Sequence, residues 1–131
     1  ASYGLVQTSD ARLKKGMTNL NYGLREVMQL RPISFQWKDS NNTKPQIGLV
    51  AQEVEKVIPE VVQRDANASA PLGMNYGNLV PVVIKAVQEQ QATITTLKNE
   101  NAELKQQNAA LEARLSALEK KLEQTAPAPR Q

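Results

Sequence analysis

Apolar positions follow two regimes along the chain, and the change falls near Gly77-Asn78. Before it the pattern is short and mixed. Leu20, Leu24, Val27 and Met28 stand at i, i+4, i+7 and i+8, which predicts a short amphipathic helix stopped at Arg31 by Pro32. Ile33 to Trp37 alternates with period two, as a half-buried strand does. Asp39-Ser40-Asn41-Asn42 reads as a turn or loop, and Gln46 to Val50 as the partner strand. Helical spacing returns at Val50, Val54, Val57 and Ile58 and ends at Pro59. Val61-Val62 is a short apolar stretch, and Asp65 to Pro71 is small and polar enough for an exposed loop.

After the break the pattern becomes a heptad. Asn78 predicts an N-cap, and Pro81 is tolerated in a first helical turn. With Ile94 at position a, the a series is Val80, Val87, Ile94, Asn101, Asn108, Leu115 and Leu122. The d series is Val83, Gln90, Leu97, Leu104, Leu111 and Leu118. Such sustained 3-4 spacing predicts a left-handed coiled coil. Glu100 at g faces Lys105 at the next e, and Arg114 faces Glu119, which suits parallel chains. At about 1.5 Å per residue, residues 78–124 would make a rod of roughly 70 Å. A lone helix with such a seam exposes too much apolar surface to persist as a monomer. Oligomerisation is expected through Val87, Ile94, Leu97, Asn101, Leu104, Asn108, Leu111, Leu115, Leu118 and Leu122. Leu at d with Asn at a is, by itself, a pattern of parallel dimers.

The fold class expected is α+β, mainly α. A small globular head with short helices and a β-hairpin occupies residues 9–77, the coiled-coil helix 78–124, and a disordered tail 125–131. Composition sharpens the boundary: all six Gly and all five aromatic residues lie at or before residue 77, while Val82 to Ala126 contains neither Gly nor Pro.

The 131-residue chain has no Cys and no His, which excludes thiol catalysis, disulfides, imidazole zinc sites and a Ser-His-Asp triad. The 16 basic and 13 acidic residues are interspersed, so the net charge of +3 describes a mixed solvated surface rather than a nucleic-acid footprint. A zipper-type DNA-binding protein fails as well, because Val61 to Ile84 carries only Arg64 where a basic helix is required. No apolar run approaches the roughly 20 residues that span a bilayer, so no membrane role is expected. Ala1 opens no secretory signal, and the chain is expected to be a piece of something longer or a domain delivered by its parent.

With thiol and imidazole excluded, a nucleophile must be Ser or Thr and its base Lys or a carboxylate. A lysine can serve once burial disfavours its charged form. Ser9-Asp10-Ala11-Arg12-Leu13-Lys14 offers such a pair. On a helix the two side chains would point about 140° apart, so a shared site needs a turn or a partner subunit. On spacing alone, solvated polar residues at a frayed terminus are the better account.

That stretch resembles the opening motif of the endosialidase-type intramolecular chaperone domains, which sit at the C-termini of phage tail spikes and fibres and recur in the myelin regulatory factor. The similarity continues through Leu24-Arg25-Glu26, Leu30-Arg31-Pro32 and Phe35-Gln36-Trp37. It is strongest at Ile47-Gly48-Leu49-Val50-Ala51-Gln52-Glu53-Val54 and Pro59-Glu60-Val61-Val62, and closes on Asn75 to Pro81 and Glu89-Gln90-Gln91. The resemblance implies a homotrimer that helps an upstream fibre or spike of the same polypeptide to fold, then releases itself by autoproteolysis. Residues 1–8 would end that upstream segment, and the cut would fall at Thr8-Ser9. Ser9 would be the nucleophile and Lys14 the general base of a single-turnover Ser-Lys peptidase, with no cofactor and no metal. Lys15 is an alternative base that does not match the motif. Asn101 and Asn108 can fix register in a trimer as in a dimer. The implied location is a phage virion tail fibre or a bacterial surface fibre. The alternative is a structural trimerisation cap that does not cleave. Of the other motif residues, Gly48 is expected to permit a bend or close backbone approach, Asp10 to cap a turn or, alternatively, to orient Lys14, and Phe35, Trp37 and Tyr76 to lie in the core or at a subunit interface.

Overall fold

The computed structural model describes residues 6–39 and 41–125, with Pro127 and Pro129. Ser40 of the expected turn, the first five residues, and most of the tail expected from Thr125 onward lie outside the described residues; Thr125 itself is helical. The chain separates into two compact units, Ala1–Ala86 and Val87–Gln131.

In the first unit, prolines set the size of the elements. Strands β1 (Ile33–Phe35) and β2 (Gln46–Gly48) pair antiparallel with Ile33 opposite Gly48, Ser34 opposite Ile47 and Phe35 opposite Gln46. The next pair at one end would be Pro32 with Leu49, and at the other Gln36 with Pro45. Neither proline has an N–H to give the ladder, so it stops at three pairs. This is why the strand expected through Trp37 ends at Phe35, and its partner ends at Gly48 rather than Val50. Trp37 instead packs its ring edge-on against Phe35, with centroids 4.9 Å apart. Gln36 donates from Nε2 to the Thr43 carbonyl at 2.6 Å and ties the loop across.

Helix α1 (Leu24–Val27) is shorter than the stripe beginning at Leu20 predicts. Gly23 takes the N-cap position, and its N–H donates to the Glu26 carboxylate at 2.8 Å, which starts the helix there. Leu20 and Tyr22 are left on the approach, where the Tyr22 hydroxyl donates to Glu60 at 2.8 Å. Helix α2 (Ala51–Glu55) follows β2, and a 3-10 turn at Pro59–Val61 leads into β3 (Val62–Gln63). β3 pairs antiparallel with β4 (Gly73–Met74), a second small hairpin that the sequence pattern did not indicate; the apolar Val61-Val62 stretch enters it and the expected Asp65–Pro71 loop lies between its strands. Asx turns shape its connection: Asp65 accepts from the Asn67 N–H at 2.9 Å, and Asn67 from the Ser69 N–H at 3.1 Å.

A 3-10 turn at Tyr76–Asn78 runs directly into α3 (Leu79–Thr125), so Asn78 closes that turn where an N-cap was expected. The buried cluster consists of Val54, Ile58 and Val61 with Leu79 and Val82, flanked by half-buried Tyr22, Val27, Leu30, Leu49, Val57, Val62 and Met74. Leu79, Val82 and Ala86 are the inward face of the first turns of α3. Val80 and Val83, which hold a and d positions, stay half exposed on another face. In the second unit Val87, Ile94, Leu97, Leu104, Leu111, Leu115, Leu118 and Leu122 are all exposed, as are Asn101 and Asn108. Among the described residues no helix is long and apolar enough to cross a membrane.

Gly48 answers a close approach. A Cβ there would lie 2.8 Å from the Tyr76 hydroxyl and 3.2 Å from Phe35 Cε1. The hydroxyl cannot swing away freely, because it accepts the Leu49 N–H at 2.9 Å. Gly48→Ala is therefore expected to destabilise the head by about 1–3 kcal/mol in urea melts. Tyr76→Phe removes the crowding oxygen, so the double variant should lose less than the sum of the two single losses. Strict additivity would rule this contact out as the cause.

Candidate active site

Ser9 and Lys14 meet within one chain. The Lys14 ammonium donates from Nζ to Ser9 Oγ at 2.7 Å. Five residues of helix or strand would not bring them together; a 3-10 turn at Ala11–Leu13 does. Asp10 precedes the turn in extended conformation and caps it, its Oδ1 accepting the Arg12 N–H at 2.8 Å. The Leu13 N–H reaches the Asp10 carbonyl and the Lys14 N–H the Ala11 carbonyl, both at 3.1 Å. Lys14 then resumes extended backbone, and its side chain folds back over the turn to Ser9. It is Lys14, not neighbouring Lys15, that makes this bond.

The turn carries a second bond set that composition and spacing did not reveal. The Arg12 guanidinium grips the Asp10 carboxylate, with Nε 3.1 Å from each oxygen and Nη2 2.6 Å from Oδ2. The legible signal was Asp followed two residues later by Arg at a turn, a pattern common enough to pass unnoticed. Arg31 likewise holds Glu53 of α2 through a fork of bonds at 2.9 to 3.1 Å, which gives Glu53 a structural partner.

Thr8, Ser9 and Lys14 are all exposed. Bare apolar side chains accompany them: Val6 is 94% exposed, Leu13 75% and Met17 69%. Gly16, with φ +64, is the one positive-φ position among the described residues and turns the chain onward from Lys14. The Gln7 side chain lies beside Gly77, where an added Cβ would come within 3.8 Å of its amide. Among the described residues no three His, Cys, Asp or Glu side chains are grouped as a metal site would need.

Residues 9–63 match the model of a peptidase family described as chaperone of endosialidase, and the match opens at Ser9. Those residues form an endosialidase-type chaperone domain. The chain is also similar to the long tail fiber protein Gp37 of Enterobacteria phages M1 and Ox2, each 32% identical over 96 residues, covering 69% of this chain and 38% of the relative. The protein of the same name from Escherichia phage AR1 is 31% identical over 87 residues, covering 62% of this chain and 8% of the relative. The chain thus spans well under half the length of these curated relatives. The chaperone domain's opening segment, Ser9 to Lys14, is the one that makes the capped turn.

Hydrogen bonds from the Arg12 side chain and backbone hold the Asp10 carboxyl below the usual carboxylate range. A lowered value means that the capped turn is favoured above it and lost only as pH falls through it. A carbon-detected NMR titration should therefore place the Asp10 midpoint below that of an unstructured peptide, and Arg12→Ala should move it upward. Equal midpoints in the two proteins would show that Arg12 does not hold the carboxylate.

Proposed function

We propose that this chain is an intramolecular chaperone that drives trimerisation and folding of an upstream fibre segment and then releases itself at Thr8-Ser9. The observation carrying the cleavage half is the 2.7 Å bond between Lys14 Nζ and Ser9 Oγ, which sets a nucleophile against a base within one chain. In this reading residues 1–8 end the fibre, 9–77 are the chaperone head, 78–124 the trimeric coiled coil and 125–131 its tail. The parent protein would be a phage tail fibre, because the matched relatives are phage long tail fiber proteins.

The chemistry needs no cofactor. The Lys14 amine takes the proton from Ser9 Oγ as the oxygen attacks the Thr8 carbonyl carbon. The Thr8–Ser9 C–N bond breaks, its nitrogen takes the proton back from Lys14, and Thr8 is left as an ester on Ser9. Water then hydrolyses the ester, leaving a Thr8 carboxylate and a chaperone that begins with Ser9 carrying a free hydroxyl.

A base of this kind needs a lysine shielded from water. In the single chain both groups are exposed, as are the apolar side chains of Leu13 and Met17. Assembly supplies the missing cover in this reading, so cleavage waits for the trimer. The exposed heptad side chains of α3 support the same association, since a seam of leucines is stable only when it is paired.

Expressed with its natural upstream fibre, the protein should give two fragments on a denaturing gel, the smaller beginning at Ser9. Ser9→Ala and Lys14→Ala should each leave one uncleaved band while keeping the oligomer by sedimentation. Cleavage of Ser9→Ala at the same bond would exclude Ser9 as nucleophile, and an uncleaved wild-type trimer would leave a structural cap. Separately, Leu104→Pro should abolish most of the oligomer, since an interior helix proline costs about 3 kcal/mol per chain. Cleavage should fall with it; full cleavage by a demonstrated monomer would break the coupling between assembly and chemistry.

A further inference from the structure

We propose that Asp10 is a positioning residue for the Ser9–Lys14 pair: it neither donates nor accepts the reacting proton, but holds the turn that makes the two side chains meet. The inference rests on the reading of Ser9 as nucleophile and Lys14 as base. A single 3-10 turn has little stability of its own in water. This one buries none of its residues, and its two closing backbone bonds are both 3.1 Å long. Packing therefore does not hold it.

What holds it is the Asp10 carboxylate. Oδ1 takes the Arg12 N–H at 2.8 Å and so satisfies a donor that a bare turn would leave to water. The Arg12 side chain closes on the same carboxylate from the other side, with bonds of 3.1, 3.1 and 2.6 Å. Asp10 is accordingly half-buried while its neighbours from Val6 to Leu20 are exposed. Because Asp10 and Arg12 lie between Ser9 and Lys14 in sequence, the turn's backbone sets how near those two residues come and so whether Lys14 Nζ reaches Ser9 Oγ.

The two components of this device separate by substitution. Asn retains an oxygen that can cap, so Asp10→Asn removes the ion pair and leaves the cap. An ion pair this exposed contributes little, so Asp10→Asn and Arg12→Ala should each cleave within about threefold of wild type. Asp10→Ala loses the cap as well and should cleave about tenfold more slowly, with trimer content and melting temperature unchanged. Proline supplies an independent rescue. Asp10 already has φ −67 and ψ 131, the conformation a following proline demands, and Ala11 is the first residue of the turn. Ala11→Pro should therefore return the Asp10→Ala protein to within about threefold of wild type by setting the turn without any carboxylate.

The measurement is the first-order rate of fragment release from assembled full-length fibre, with Ser9→Ala run in parallel. The expected order is wild type, Asp10→Asn and Asp10→Ala/Ala11→Pro together, with Asp10→Ala well below. Asp10→Ala at the wild-type rate, or Asp10→Ala/Ala11→Pro as slow as Asp10→Ala, would overturn the positioning role. Cleavage by Ser9→Ala would instead overturn the nucleophile assignment beneath it, so the two failures read differently. If Asp10→Ala does not assemble, Asp10→Ser against Asp10→Val makes the same comparison of capping with non-capping side chains.

Discussion

Leu79 and Val82 reach from the first turn of α3 into Val54, Ile58 and Val61, and the rest of the head is arranged around that contact. It anchors α2, the Pro59–Val61 turn and the start of α3 to one another, while the β3–β4 hairpin adds half-buried Val62 and Met74 at its edge. A cluster of five buried side chains is little cover for a head of this size. The inward face of α3 uses Leu79, Val82 and Ala86, which leaves Val80 and Val83 available to solvent. Two apolar faces on the same turns amount to a division of labour, one inside the chain and one directed outward.

The elements legible in the sequence were those set by strong local rules. The heptad, the alternation around Ile33 to Phe35 and the proline stops were each read from spacing, and the long helix follows from a stretch free of Gly and Pro. Lengths were overestimated wherever a ladder or helix depended on a partner. Trp37 continues the alternation but has Pro45 in the way across the ladder; Leu20 continues the helical stripe but precedes a glycine cap. The β3–β4 hairpin escaped notice because two-residue strands carry no period, and its loop is shaped by side-chain carboxamide and carboxylate bonds.

For the candidate site, spacing alone argued against Ser9 and Lys14, since neither a helix nor a strand unites residues five apart. The resemblance singled the pair out, and the capped turn supplies a geometry in which they touch. Asp10 was read as a turn cap and is one; the guanidinium on its far side was not foreseen. Gly48 was read as a bend or a close backbone approach; what crowds it is a pair of side chains, the Tyr76 hydroxyl and the Phe35 ring.

The Ser9–Lys14 contact closes a loop of only six residues, and this has a temporal consequence. Loops of that size close in roughly 10–100 ns, far faster than chains meet in solution. The two groups can be in register soon after the segment is made, long before three copies find one another. Under the proposed reading, the clock of the reaction is then not the meeting of nucleophile and base. It is the arrival of whatever dries them, which makes an early-armed trigger wait on a late event.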